Sequence, residues 1–374
     1  MIKKINFLYI FFLLLLLPFT FVKAQTSLSE TLWIDSVFKT MSSDERIGQL
    51  FMVKASSNGD KKYYENLAKL ICDYKVGGVA FFKGGPVREA NWTNRFQQNA
   101  NIPLLIAIDG EWGLGMRLDS TPSFPRQITL GAIRYDSLIF QMGKEIGREC
   151  KRLGINMNFA PVVDINSNPR NPVINSRSFG ENKYNVAKKG VAYMKGMQSV
   201  GVLACAKHFP GHGDTDTDSH FGLPTIKHSK RVIDSLDLYP FNELIKNNVS
   251  SVMVAHLNVP ALDPSGMSIS SLSKTIITDL LKKKMGFKGL VFTDALDMKG
   301  VSANHKNGTA ELKALMAGND ILLIPESISE AVARIRTAID SSVISSDLIN
   351  QKCKKILMYK YKAGLNHYKP IDTD

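Results

Sequence analysis

Eight short apolar runs recur along the chain, separated by longer polar or amphipathic stretches. They are "GQLFMVKA" (48–55), "VGGVAFFKG" (76–84), "PLLIAIDGE" (103–111), "NMNFAPVVDI" (156–165), "GVLACAKHF" (201–209), "SSVMVAHLNVP" (250–260), "GLVFTDALDM" (289–298) and "GNDILLIP" (318–325). Their apolar character is continuous rather than alternating, which marks strands buried on both faces, as in a parallel sheet. Helical spacing fills intervals at 134–152, 184–199, 232–246, 271–285 and 308–316. Eight strand–helix units predict an α/β fold, a single (β/α)8 TIM-type barrel, with an open doubly wound sheet as the alternative. No G-x-G-x-x-G turn follows the first run, which speaks against a dinucleotide-binding sheet. Two C-terminal helices (328–340 and 346–363) follow the last strand, and no second domain is expected.

Residues 1–24 stand apart. Lys3 and Lys4 precede the apolar "FLYIFFLLLLLPFTFV", and small residues precede Gln25. That pattern reads as a secretory signal peptide, with an uncleaved anchor as the alternative. A lead-in (25–42), the barrel (43–365) and a tail (366–374) complete the division. The expected location is exported, periplasmic or extracellular, with no stable membrane insertion after cleavage. Without Lys3, Lys4 and Lys23 the chain keeps 44 basic residues against 34 acidic, a net charge of +10. This charge is dispersed, and no nucleic-acid-binding pattern accompanies it, so no nucleic-acid partner is expected. The four cysteines are far apart, with no C-x-x-C; a Cys72–Cys150 bridge and free thiols both remain open.

In parallel barrels the active site lies at the C-terminal strand ends. Asp109 and Glu111 end the third run, and Arg170 and Arg177 lie in the loop after the fourth. Lys207 and His208 end the fifth, His256 the sixth, and Asp294 and Asp297 the seventh. Buried charges need partners, so this convergence points to a polar ligand or to structural ion pairs. Paired carboxylates with basic residues and no Ser or Cys nucleophile motif fit glycoside hydrolysis, with Asp294 as the candidate nucleophile.

The stretch "KHFPGHGDTDTDSH" (207–220) is the densest polar segment. His220 could act as acid/base, oriented by Asp218, and Gly211 and Gly213 would let the loop close over a substrate. A zinc site built from His208, His212, Asp214, Asp218 and His220 is the competing reading, but no H-E-x-x-H accompanies it. No metal and no cofactor are expected.

The same stretch resembles the K-H-F-P-G-H-G-x4-D-S-H signature of glycoside hydrolase family 3, in its bacterial β-N-acetylglucosaminidase (β-hexosaminidase) branch. "GINMNFAPVVDI", "RSFG", "SVMVAHLNVPALD", "MGFKGLVFTDALDMKG" and "ALMAGNDILLIP" are also similar to family segments, in family order, across roughly 43–363. The resemblance implies a (β/α)8 barrel and a retaining double displacement. It assigns Asp294 as nucleophile, His220 as acid/base and Asp218 as its partner. Asp109, Arg117, Arg177, Lys207 and His208 would bind a terminal β-linked N-acetylglucosamine, and His256 would line the pocket. One segment departs from the branch: "DGEWGLGMR" stands where D-x-E-G-G-x-V-x-R is common, so Trp112 and Gly115 are variant.

The expected activity is therefore an exported exo-β-N-acetylglucosaminidase, a β-N-acetylhexosaminidase acting as a monomer on peptidoglycan fragments or other GlcNAc-capped glycans. The alternatives are a β-glucosidase or β-xylosidase of the same family, or a non-catalytic envelope glycan-binding protein.

Overall fold

The computed structural model describes residues 28–217, 222–265 and 269–373. The expected signal peptide, and with it the question of an anchor, lies outside them. All eight apolar runs form strands: β1 (Phe51–Ser56), β2 (Gly78–Lys83), β3 (Leu105–Ile108), β4 (Met157–Asn158), β5 (Leu203–Phe209), β6 (Ser251–Val254), β7 (Leu290–Thr293) and β8 (Leu322–Leu323). Each pairs in parallel with its neighbours in sequence, from β1 through β7, and β8 returns beside β1. Parallel bridging of Phe292 with Ile321 joins β7 to the start of β8, with Ile321 N donating to Val291 O at 3.0 Å. The chain is thus a single domain built on an eight-stranded parallel barrel, and the open-sheet alternative falls away.

The strands are buried because helices cover the outside and side chains fill the inside. All seven residues of β5 are buried, Lys207 and His208 included. Phe159 and Phe292 meet edge to face inside the barrel, with centroids 5.5 Å apart. The helices Asp136–Arg152 and Lys183–Gln198 pack together, burying Ile139 and Ile146 against Tyr193, Met194 and Met197. Asn182 caps the second, its side chain accepting from the N–H groups of Tyr184 and Asn185.

The helical stretch expected at 271–285 departs from α geometry. It starts as a 3-10 turn (Ser270–Leu272) and continues as a π-helix over Thr275–Lys284. From there Lys282 reaches Asp320 at 3.0 Å. Asp320 precedes β8 at the end of the barrel opposite the strand C-termini. It also pairs with Lys352 and Lys355, tying the last long helix (Ser346–Lys362) to the barrel floor. Burial pushes the Asp320 carboxyl pKa up, but three ammonium groups outweigh this and hold it well below the usual carboxylate range.

The lead-in carries a helix over 28–40, whose Trp33, Ile34, Val37 and Phe38 pack on Met41, Ile102, Cys353 and Leu357. The Cys72–Cys150 bridge does not form. All four cysteines are free; Cys72 lies near Asn99 O, and Cys150 is wholly buried. Among the described residues no helix is long and apolar enough to cross a membrane.

Candidate active site

A cavity of about 380 Å³ opens at the C-terminal strand ends. Asp109, Arg117, Arg177, Lys207, His208 and Asp294 all line it, drawn from four segments spread over nearly two hundred residues.

The turn after β3 is held from below. Asn158 exchanges hydrogen bonds with Gly110, accepting from its N–H (2.9 Å) and donating to its carbonyl (3.0 Å). The Tyr193 hydroxyl donates to the carbonyls of Gly110 and Glu111 at 3.2 and 3.1 Å. This fixes Asp109 and Glu111 at the mouth. Asp109 uses one carboxylate oxygen for Arg117 and the other for Lys207. Glu111 has no solvent exposure and accepts from Arg177 Nε (2.9 Å), Arg177 Nη2 (2.6 Å) and Lys207 Nζ (2.7 Å).

These charges sustain one another. Burial alone would neutralise Glu111, but Arg177 and Lys207 overcome it and hold the carboxyl far below its ordinary range. Burial would likewise lower the Lys207 and Arg177 pKa values, but Asp109 and Glu111 reverse the shift and raise both. The result is a rigid ionised lattice whose outward edges can meet hydroxyl groups with charge-assisted hydrogen bonds.

His208 is fixed on both sides. Its Nδ1 lies 2.7 Å from Asp164 Oδ2, and Arg177 Nη2 lies 3.2 Å from its Nε2. Arginine can only donate, so Nε2 is the acceptor in that contact. Asp164 is almost fully buried and also accepts from the backbone N–H of His208 and, at 2.7 Å, of His212. Burial raises the Asp164 pKa; His208, His212 and these hydrogen bonds outweigh it, and the net shift is downward.

Asp294 follows β7 directly. Its N–H donates to Val254 O (2.8 Å), extending the ladder toward β6, while its side chain faces the cavity. Its Oδ1 accepts from the N–H of Ala295 at 2.8 Å. Burial pushes this carboxyl up, but His256, His208, the Ala295 N–H and Lys207 pull it below the ordinary value. Burial also holds His256 itself toward its neutral form.

His256 itself does not line the cavity. It has no solvent exposure; Ser271 Oγ lies 2.6 Å from Nδ1 and Ala295 O lies 2.9 Å from Nε2. Its ring sits behind Asp294 and supports the turn that carries it, because both nitrogens are taken by protein groups.

The glycine-hinge expectation also changes. A Cβ on Gly213 would lie 1.6 Å from Ile165 O, so this glycine serves close packing rather than freedom. Gly211 adopts φ +126°, which favours glycine. Asn168 gathers Asp214 O, Thr215 O and Asp216, and Lys227 pairs with Asp216 at 2.7 Å. The foot of the loop, through Asp216, is therefore tied down. Asp218 and His220 lie outside the described residues. Among the described residues no three of His, Cys, Asp and Glu are grouped to hold a metal ion.

Sequence reasoning placed Glu111 among the strand-end charges without a role of its own, and it passed over Asp164. Asp164 ends the fourth apolar run just as Asp109 ends the third, and the strand-end rule applied evenly finds it. Trp112, at the variant position, lines the cavity and carries the Arg126 guanidinium 3.4 Å from its ring centre.

Residues 42–359 match the family model "Glycosyl hydrolase family 3 N terminal domain". The chain belongs to glycosyl hydrolase family 3. Similar proteins carry glycosidase names. "Beta-hexosaminidase A" of Pseudoalteromonas piscicida is 38% identical over 328 residues, covering 79% of this chain and 55% of the relative. "Beta-N-acetylglucosaminidase/beta-glucosidase" of Cellulomonas fimi is 30% identical over 342 residues, covering 89% and 60%. A solved family-3 β-N-acetylglucosaminidase from Paenibacillus sp. str. FPU-7 superposes with a TM-score of 0.83 at 35% identity, covering 89% of this chain and 65% of that one. The chain thus spans between about half and two thirds of the length of these relatives.

Proposed function

We propose that this family-3 barrel is the catalytic unit of a retaining exo-β-N-acetylglucosaminidase. The observation that carries the reading is Asp294. Its ionised carboxylate faces the same sugar-sized cavity as Asp109, Arg117, Arg177, Lys207 and His208. Relatives bearing β-hexosaminidase and β-N-acetylglucosaminidase names support the choice of sugar.

In the proposed reaction, Asp294 attacks the anomeric carbon as the bond to the leaving oxygen breaks. His220, oriented by Asp218, gives its proton to that oxygen. Water then attacks the glycosyl–Asp294 ester, His220 takes a proton from it, and Asp294 is released. Asp109 and Arg117, with the Lys207–Glu111–Arg177 lattice behind them, hold the sugar hydroxyls and the 2-acetamido group. An imidazole, neutral after donating, adds no second anion beside Asp294. The signal-peptide pattern of residues 1–24 supports action in the periplasm or outside the cell, on peptidoglycan fragments or other GlcNAc-capped glycans.

The test is turnover of an aryl β-N-acetylglucosaminide and an aryl β-glucoside by the protein and by Asp294→Ala. The expected result is hydrolysis of the first, abolished in the variant. Inertness toward both overturns the reading. The double name of the Cellulomonas fimi relative favours β-glucosidase as the second reading, and a preference for the glucoside would establish it.

A further inference from the structure

His212 lines the cavity but takes no part in the proposed reaction. It is 2% exposed, and its Nε2 is a buried nitrogen with no hydrogen-bond partner. The residue cannot swing away. Its N–H donates to Asp164 (2.7 Å) and its carbonyl accepts from Asn171 Nδ2 (2.8 Å).

The hydrogen bonds of Thr215 bear on the ring proton. The Thr215 hydroxyl donates to His212 O at 3.1 Å. Its oxygen is then free to accept, and His212 Nδ1 lies 2.8 Å away, with Asn171 Nδ2 at 3.2 Å. The proton therefore sits on Nδ1, and Nε2 carries a bare lone pair. Burial drives the His212 pKa down to about 4, so the ring stays neutral at working pH.

Nearby acceptors are already engaged. Asp109 and Glu111 are taken by Arg117, Lys207 and Arg177, and both His208 nitrogens have protein partners. An unpaired buried acceptor is costly to a fold unless a ligand completes it. We infer that His212 Nε2 accepts a hydrogen bond from the bound sugar, making His212 a specificity residue that reads an N–H or O–H of the ring in the cavity. The inference rests on the glycosidase reading above.

Two variants separate the ring's two nitrogens. His212→Asn keeps a donor for Thr215 and removes the Nε2 acceptor, whereas His212→Gln places an amide oxygen near the Nε2 position. The Asn variant should lose roughly 10–100-fold in kcat/KM, and the Gln variant should recover most of it. If the donor is the acetamido N–H, the loss falls on the aryl N-acetylglucosaminide and not on the glucoside. If it is a ring hydroxyl, both fall together. Wild-type kcat/KM in the Asn variant on both substrates overturns the assignment, as does an equal loss in Asn and Gln. Independently of activity, 15N shifts of the wild-type ring should show Nδ1 protonated and Nε2 bare; a protonated Nε2 overturns it too. A wild-type protein inert toward both glycosides sinks the hydrolase reading itself, an outcome distinct from an active enzyme indifferent to His212.

Discussion

The Asp164 carboxylate holds His208 twice, at the ring through Nδ1 (2.7 Å) and at the backbone through its N–H (3.1 Å). One buried anion thus sets both the position and the orientation of a cavity side chain. It also fixes the start of the loop through His212 N. Replacing Asp164 by Asn keeps the shape and removes the charge. Asp164→Asn should lower kcat/KM on an aryl N-acetylglucosaminide by roughly 10–100-fold, since a misplaced binding group weakens transition-state alignment. Unchanged kinetics in a folded variant would show that His208 needs no such anchor.

Asp294 is held ionised below the ordinary carboxylate range. A nucleophile must be deprotonated, so this group stays competent as pH falls past the usual carboxylate value. The acid limb of a kcat/KM profile should therefore lie below the usual carboxylate pKa as far as Asp294 is concerned. Asp294→Ala should cost about 10³-fold or more in kcat on glycosides. A folded Asp294→Ala variant with near wild-type turnover would remove it from the mechanism.

Glu89 is buried in the helix Pro86–Asn99 with Thr93 as its side-chain partner. Burial pushes its carboxyl up to about 8. The folded state therefore binds a proton that the unfolded state has lost between about pH 4.5 and 8, and stability falls as pH rises through that window. Glu89→Gln is neutral throughout. It should flatten this pH dependence and gain roughly 2–4 kcal/mol at pH 8, read by denaturant unfolding at several pH values. A variant with the wild-type pH slope would contradict a protonated Glu89.

Asp320 is the mirror case. Its pKa is depressed, so its contribution is present above the ordinary carboxylate pKa and is lost as pH falls toward the folded value. Asp320→Ala leaves Lys282, Lys352 and Lys355 without their shared anion at the barrel floor. The expected cost is about 3–5 kcal/mol of unfolding free energy. KM for the aryl glycoside should be unchanged in protein that remains folded, because the cavity lies at the other end of the barrel. A raised KM with unchanged stability would reverse this assignment.

Much of the architecture was legible in sequence because burial on both faces leaves a continuous apolar signature. That signature located every strand, even β4 and β8, which are two residues long. The helices Lys61–Tyr74 and Pro86–Asn99 left a weaker trace, since each buries few large apolar side chains. The strand-end rule brought Asp109, Lys207, His208 and Asp294 forward correctly as neighbours, because a parallel barrel delivers all C-terminal ends to one face.

The same rule could not tell the front of the site from the back. His256 ends its strand as Asp294 does, yet one points behind the wall and the other into the cavity. Gly213 looked like freedom in the chain and proved to be a contact with Ile165 O. By itself the sequence determined the barrel, the mouth that carries polar groups, and the family. Only the tertiary structure decided which buried charges pair, which nitrogen of His212 lies unpartnered, and which face each strand-end side chain takes. Periodicity records how much of a residue is buried, whereas pairing and direction depend on segments far apart in the chain meeting in space.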